Sequence, residues 1–248
     1  MRVWEYIEKK IKNNEKLHMT LLDPDKQSPE EAGEIAKKCE TLGTDAIMIG
    51  GSTGVTRLNM DATAKAIKAN LEKIPLIIFP TKPDALTPHA DAIYFMSMLN
   101  SQDLNFVIGY QVLGAIVVRK LKLEPIPMGY IIIEPGMKVA EVGCARVIAR
   151  NDNQSAVAHA LAAEYLGMKL VYLEAGSGAH QHVPPEMVAE VRKNISIGLI
   201  AGGGIRNSES AALLAKAGAD IIVTGTIVEE AKEIEKTLGS IIAAVKHR

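Results

Sequence analysis

Cysteine is scarce in this chain, and neither sign of charge predominates. Cys39 and Cys144 stand far apart and outside any CxxC or Cys/His spacing, which argues against a disulfide framework or a zinc site. The 28 lysines and arginines nearly balance the 29 aspartates and glutamates, so no general basic field would attract nucleic acid or anionic lipid. We therefore expect no nucleic-acid partner, and any anionic ligand must be held by local groups.

Long hydrophobic runs are also missing. No apolar stretch approaches the roughly 20 residues that a membrane-spanning helix requires. The N-terminal segment from Arg2 to Tyr6 opens a charged, amphipathic stretch and lacks the apolar core of a secretory signal. Together with the few cysteines, these absences predict a cytoplasmic protein.

Short, nearly all-apolar segments recur along the chain, as is typical of parallel strands buried on both faces. The eight predicted strands are Leu17–Leu22, Ala46–Ile49, Leu76–Phe79, Ala92–Met96, Met128–Ile133, Lys169–Leu173, Ile197–Ala201 and Ile221–Thr224. Helical apolar spacing predicts crossover helices over Pro29–Leu42, Asn59–Glu72, Phe106–Lys122, Asn153–Leu166, Pro185–Lys193, Ser208–Ala217 and Ile227–Lys246. The pattern fits a (β/α)8 barrel, an α/β fold formed as one domain by residues 1–248.

An open doubly wound sheet shares this local pattern, and the position of the glycines separates the two folds. A Rossmann-type sheet carries its glycine-rich turn after the first strand, whereas here the glycines follow predicted strands six, seven and eight. The barrel is therefore favoured. The segment Thr81–His89 contains two prolines and is too short for a crossover helix, so we expect an irregular segment in place of the third barrel helix.

Three glycine-containing segments come at predicted strand ends: Tyr172–Gly178, Gly202–Ile205 and Gly225–Thr226. Glycine lets main-chain N–H groups approach an anion closely, and the helices that follow add favourable dipoles. Each segment alone could be a simple tight turn, but three at one end of a barrel predict a cup for one phosphate.

A carboxylate and a hydroxyl are predicted to lie together at the same end of the barrel. Asp23 follows the first strand, and Ser52 follows the second, so the two should be neighbours. A carboxylate and a hydroxyl would suit Mg²⁺, which takes few protein ligands and shares substrate phosphates. Turn formation by Asp23 and helix capping by Ser52 would explain these residues equally well.

Tyr172 and Glu174 lie two residues apart on the sixth strand and should face one chamber. The carboxylate could accept a proton from a substrate hydroxyl, and the phenol could orient that hydroxyl. The alternative is a polar layer of the barrel interior.

This set of motifs resembles the geranylgeranylglyceryl phosphate synthase family, the archaeal lipid prenyltransferases, which has bacterial relatives that use other prenyl chains. The resemblance extends along nearly the whole chain. Its most specific motifs are Leu22–Pro24 with Gly50–Ser52, Tyr94–Asn100, Pro127–Tyr130, Tyr172–Ala179, Gly202–Arg206 and Thr224–Thr226.

The resemblance implies transfer of a geranylgeranyl group from geranylgeranyl diphosphate to the C3 hydroxyl of sn-glycerol 1-phosphate, with Mg²⁺ as cofactor. It implies Glu174 and Tyr172 as catalytic residues and Asp23 and Ser52 as the metal site. It also implies a homo-oligomer and at most transient contact with a membrane surface. The implied glycerol-phosphate site consists of Tyr172, Leu173, Glu174, Ala175, Gly176, Ser177, Gly178, Gly203, Gly204, Gly225 and Thr226.

The prenyl tail requires an apolar groove, which we expect beside the missing third helix, with Met96, Met98 and Tyr130 as candidate lining residues. Two alternatives stay open at this point. One is the same reaction with another prenyl diphosphate donor, and the other is a flavin-dependent oxidoreductase whose cofactor phosphate would occupy the cup.

Overall fold

Eight parallel strands close into a barrel in the computed structural model, which describes residues 2–227 and 234–246. The strands are β1 (Leu17–Leu22), β2 (Ala46–Ile49), β3 (Leu76–Ile78), β4 (Ala92–Met98), β5 (Glu124–Ile132), β6 (Leu170–Glu174), β7 (Gly198–Gly202) and β8 (Ile221–Thr224). Each strand pairs with the next along the chain, and β8 pairs with β1. The predicted barrel is therefore confirmed.

Helices surround the barrel in the order expected for right-handed crossovers. They are α1 (Val3–Lys12), α2 (Pro29–Leu42), α3 (Arg57–Asn70), α4 (Tyr110–Leu121), α5 (Met137–Val142), α6 (Asn153–Tyr165), α7 (Pro185–Asn194), α8 (Ser208–Ala217) and α9 (Ile234–Lys246). A π-helical turn over Asn105–Gly109 leads into α4. The prediction for Ile227–Lys246 is met from Ile234 onward, and its part at 228–233 lies outside the described residues.

No helix occurs between β3 and β4, where residues 79–91 form turns and bends. The expected replacement of the third helix by an irregular segment is thus confirmed. The physical cause is in the sequence, because prolines at 80, 83 and 88 remove N–H groups that a helix would need.

Strand β5 begins four residues earlier than predicted, at Glu124, and runs through Pro125 and Pro127. It pairs with β4 from Ala92 onward, whereas β6 begins only opposite Met128. The first residues of β5 therefore have one side without a neighbouring strand, where the missing N–H of a proline costs no hydrogen bond.

Alternation along the strands divides the apolar side chains into an interior set and an outer set. Met19, Met48, Met128 and Tyr172 belong to a buried cluster inside the barrel, while Leu173 and Ala175 pack in a cluster that includes Ala160 of α6 and Val188 of α7. Alternation thus decides which residues of β6 can reach the barrel mouth.

Helix α1 lies against the end of the barrel opposite the glycine-rich loops. The Glu124 carboxylate at the start of β5 accepts hydrogen bonds from the first N–H groups of α1, those of Val3 at 2.6 Å and Trp4 at 3.1 Å. Val3 and Ile7 are buried within the interior cluster. Among the described residues, no helix is long and apolar enough to span a membrane.

Candidate active site

A cavity of about 850 Å³, part of it open to solvent, lies at the carboxyl ends of the strands. Residues from the ends of β2, β6, β7 and β8 meet there, which is the end at which barrel enzymes place their active sites. Of the predicted site residues, the cavity wall includes Ser52, Tyr172, Glu174, Ser177, Gly203, Gly204, Gly225 and Thr226.

Glu174 is the buried acid of this cavity, with 6% of its surface exposed. Burial raises the pKa of its carboxyl group, whereas hydrogen bonds from the Gly176 N–H and the hydroxyls of Tyr172 and Tyr130 act in the opposite direction. The Gly176 N–H lies 2.6 Å from Oε1. The carboxylate is therefore held in place and is more basic than an exposed glutamate.

The two tyrosines beside Glu174 come from neighbouring strands in register, because Tyr130 of β5 lies opposite Tyr172 of β6. Their ring centroids are 5.2 Å apart in an edge-to-face arrangement, and Phe79 stacks edge-on to Tyr130 at 5.4 Å. Burial, followed by the charge of Glu174, raises the pKa of both phenols well above 10.0. Both therefore act as neutral donors.

Tyr130 was assigned from the sequence only to the prenyl groove, and its contact with Glu174 was missed. The register that brings it beside Tyr172 depends on where two distant strands pair, and no local motif signals it.

Strand β7 approaches these side chains so closely that only glycine fits. A Cβ on Gly202 would lie 2.1 Å from the Tyr172 hydroxyl, and one on Gly203 would lie 2.3 Å from Glu174 Oε1. Gly203 also has a φ of +79°, in the left-handed region. The two glycines thus leave room for the two predicted catalytic side chains.

The loops after β6, β7 and β8 surround the outer part of the cavity. The hydroxyls of Ser177 and Thr226 are 3.2 Å apart and connect the first and third loops. This arrangement of hydroxyl and glycine main-chain groups can accommodate a phosphate. No basic side chain is among the residues that line this cavity in the described part of the chain.

Three of the predicted ligand-contacting residues have other partners in the structure. The side chains of Leu173 and Ala175 point out of the barrel into the outer cluster. The N–H of Ala175 donates to the Gly202 carbonyl, and that of Gly176 donates to Glu174. These groups support the loop from behind.

Asp23 lies at the end of β1, half-buried against the loop that follows β2. A Cβ on Gly51 would be 2.2 Å from its Oδ2 atom, and the Asp25 N–H donates to its Oδ1 atom at 3.0 Å. Burial raises the pKa of its carboxyl group. Asp23 thus accepts a hydrogen bond within the turn after β1, as one of the two explanations from the sequence expected. Ser52 does not cap α3, because the N-cap residue of that helix is Thr56.

The donor set around Asp23 decides what metal could bind. The described residues contain no cluster of three or more His, Cys, Asp or Glu side chains with metal-binding geometry. A protein-only metal site does not fit. A magnesium ion that takes one carboxylate and one hydroxyl from the protein, and its remaining oxygens from phosphate and water, does fit.

A second cavity, of about 500 Å³ including the part open to solvent, adjoins the first on the side where the third helix is missing. Both cavities are lined by Pro80, Thr81, Met96, Met98 and Phe106. The remaining wall of the second cavity is mainly apolar and includes Leu86 and, from α4, Gly114 and Val118. This mainly apolar cavity lies on the side where the sequence predicted a groove, with Met96 and Met98 in its wall, while Tyr130 lines only the first cavity.

Comparison with known proteins gives consistent matches. The model of the PcrB family matches residues 9–245. A geranylgeranylglyceryl phosphate synthase from Thermococcus gammatolerans is 55% identical over 235 residues, which cover 95% of this chain and 92% of the relative. The enzyme of the same name from Pyrococcus horikoshii is 52% identical, with the same coverage.

A crystal structure gives a similarly close match. It is that of (S)-3-O-geranylgeranylglyceryl phosphate synthase from Thermoplasma acidophilum in complex with its substrate sn-glycerol-1-phosphate, with a TM-score of 0.96 and 46% sequence identity over 100% of both chains.

Proposed function

This chain belongs to the PcrB family, and we propose that it is a geranylgeranylglyceryl phosphate synthase, which joins a geranylgeranyl group from its diphosphate to the C3 hydroxyl of sn-glycerol 1-phosphate. The family match and the named relatives confirm the resemblance seen in the sequence. The observation that carries the proposal is a buried carboxylate, Glu174, that faces a glycine-lined phosphate cup across one cavity.

Glycerol phosphate would place its phosphate between the loops of Ser177, Gly204 and Thr226. The glycerol carbons would then extend toward Glu174, deeper in the same cavity. Because no basic side chain lines the cavity in the described residues, main-chain N–H groups and hydroxyls would hold the dianion. Recognition would therefore depend on loop geometry.

Glu174 would accept the proton of the attacking hydroxyl, while Tyr172 orients that hydroxyl or the carboxylate itself. The raised pKa of Glu174 suits this role, because a base whose pKa lies nearer to the working pH holds the proton more readily. The buried position excludes water that would compete for the prenyl group.

Asp23 and Ser52 would hold Mg²⁺ beside the cavity. Bound there, the ion would offset the negative charge that builds on the diphosphate leaving group. The half-buried Asp23 supports this role, since a carboxylate partly removed from water gains more from a cation than an exposed one does.

The prenyl tail would occupy the second cavity. Its wall is mainly apolar, and it opens from the first cavity at Met96, Met98 and Phe106. A donor lying across both cavities would present its diphosphate end near Ser52 and its first carbon near the substrate hydroxyl, which is the positioning that the reaction needs.

The test is a product assay with purified protein, labelled C20 donor and Mg²⁺, given either sn-glycerol 1-phosphate or the 3-phosphate. We expect an ether product of the mass of geranylgeranylglyceryl phosphate with the 1-phosphate. No product with either acceptor would contradict the proposal. Adding donors of other chain lengths to the same assay tests the alternative of a different prenyl diphosphate. The name shared by the relatives favours prenyl transfer over the flavin-dependent alternative.

A second copy of the chain would cover an exposed apolar stripe on α4 and the turn before it. Leu104, Ile108, Val112 and Ile116 recur every four residues and are 55–74% exposed. A stripe of this kind marks an interaction surface, and we propose that it joins the chains of a homo-oligomer. We also propose that the protein is cytoplasmic. Size-exclusion chromatography with light scattering should give a smaller species for Ile116→Glu, and an unchanged oligomer would contradict this assignment.

A further inference from the structure

One wall of the second cavity, the proposed prenyl groove, is the irregular segment at residues 80–89, called here the proline segment. It replaces the third barrel helix and faces α4 across the groove. The two walls approach each other closely at one point, because a Cβ on Gly114 of α4 would lie 3.6 Å from the Cβ of Pro83. The position of the proline segment therefore sets the width of the groove.

Side-chain hydrogen bonds attach the proline segment near both ends. The Thr81 hydroxyl donates to the Gly51 carbonyl, in the loop that follows β2. The Thr87 hydroxyl donates to Asp61 Oδ1 of α3 at 2.8 Å. The same aspartate lies 3.7 Å from His89 Nε2, and the His89 N–H donates to the Thr87 hydroxyl at 3.3 Å.

The attachment at Thr87 is built into the packing. Thr87 is fully buried, and its neighbour Leu86, 6% exposed, lines the groove. Prolines 80, 83 and 88 fix φ along the segment. A stiff segment held at two points cannot shift one end without moving Pro83 and Leu86.

We propose that Asp61 and Thr87 are positioning residues that set the preference for donor chain length, an inference that rests on the proposed prenyl transfer. They contact neither substrate nor the reacting atoms. Their hydrogen bond holds Leu86 and Pro83 where the far part of a C20 tail would pass, while a C10 tail, half as long, would end nearer to the first cavity.

The experiment compares kcat/KM for geranylgeranyl diphosphate (C20) with that for geranyl diphosphate (C10) in the full chain. Thr87→Val removes the hydroxyl at nearly constant volume, Asp61→Ala removes the acceptor, and Thr87→Ser restores the hydroxyl. Thr63→Val is the matched control: Thr63 is fully buried in the same helix as Asp61, and its hydroxyl has no partner in the described part of the structure.

We expect the C20-to-C10 ratio of kcat/KM to fall about tenfold in Thr87→Val and Asp61→Ala, the order of effect of losing apolar contact with one or two methylene groups. Thr87→Ser, Thr63→Val and the KM for glycerol phosphate should stay near wild type. An unchanged ratio, or an equal loss with both donors, overturns the positioning role. Absence of prenyl transfer in the wild-type protein overturns the proposed function itself.

Discussion

Gly203→Ala is expected to displace the Glu174 carboxylate and reduce catalysis. Two effects combine at this position. The φ of +79° costs an alanine about 1 to 2 kcal/mol. The new Cβ would also lie 2.3 Å from Glu174 Oε1 and 2.6 Å from the Gly176 nitrogen, and overpacking of this kind adds about 1 to 3 kcal/mol.

Gly167→Ala separates the two effects. Gly167 has the same φ of +79°, but a Cβ there would meet nothing within 4 Å. Only the backbone cost applies, so we expect the melting temperature to fall by about 4 °C in Gly167→Ala and by about 10 °C in Gly203→Ala, at about 2 to 4 °C per kcal/mol for a chain of this size.

Activity should distinguish the variants more strongly than stability does. Glu174 is held between the β7 backbone and the Gly176 N–H, so the added methyl group must move it or the loop that holds it. A displacement of about 1 Å at a catalytic group can cost about 100-fold in rate. Steady-state kinetics should give that loss in kcat/KM for Gly203→Ala and none for Gly167→Ala. Wild-type kinetics in a folded Gly203→Ala protein would refute this reasoning.

Four further outcomes are expected. Glu174→Gln should lower kcat about 100-fold or more with little change in the KM for glycerol phosphate. Wild-type activity should fall as the pH is lowered through the raised pKa of Glu174, because the base becomes protonated. A variant whose pH-rate profile keeps this loss of activity at low pH would contradict the assignment of Glu174 as the base. Asp23→Asn should raise the Mg²⁺ concentration for half-maximal rate by about tenfold, taking the scale of effects seen for groups that support metal ligands, and an unchanged Mg²⁺ titration would exclude Asp23 as a ligand. Phe106→Ala should widen the opening between the two cavities and raise the KM for the C20 donor, because the prenyl tail would lose apolar contact where it passes from one cavity to the other. An unchanged KM for the donor would argue against a tail that lies across both cavities. Burial lowers the pKa of His18, which is hydrogen-bonded to Thr44 and Thr224, from 6.5 to about 3. Its stabilising contribution is therefore complete above pH 6.5, and the free energy of unfolding falls by about 1.4 kcal/mol for each pH unit below that value. The difference in this free energy between pH 7 and pH 4.5, measured by denaturant unfolding, should be smaller in His18→Gln than in the wild type, and an equal difference would contradict the assignment.

The barrel itself was predictable because its signals are local. Each buried strand is a short apolar run, each crossover shows helical spacing, and the prolines around Thr81–His89 prevent a helix there. The start of β5 was predicted wrongly, because the prolines at 125 and 127 argue locally against a strand. The strand nevertheless continues through Pro125 and Pro127, since pairing with β4 supports it.

For the candidate site, the sequence by itself determined which residue types stand at the strand ends: the glycines, Asp23, Ser52, and the Tyr172 and Glu174 pair. The tertiary structure decided which of them meet. Strand alternation directs Leu173 and Ala175 out of the cavity, and the β5–β6 register brings Tyr130 to Glu174. The β6–β7 register, in which Gly202 lies opposite Glu174, brings Gly203 against the same carboxylate. These contacts join residues distant along the chain, and their geometry depends on strand pairing and packing of the whole barrel, which no short stretch of sequence encodes.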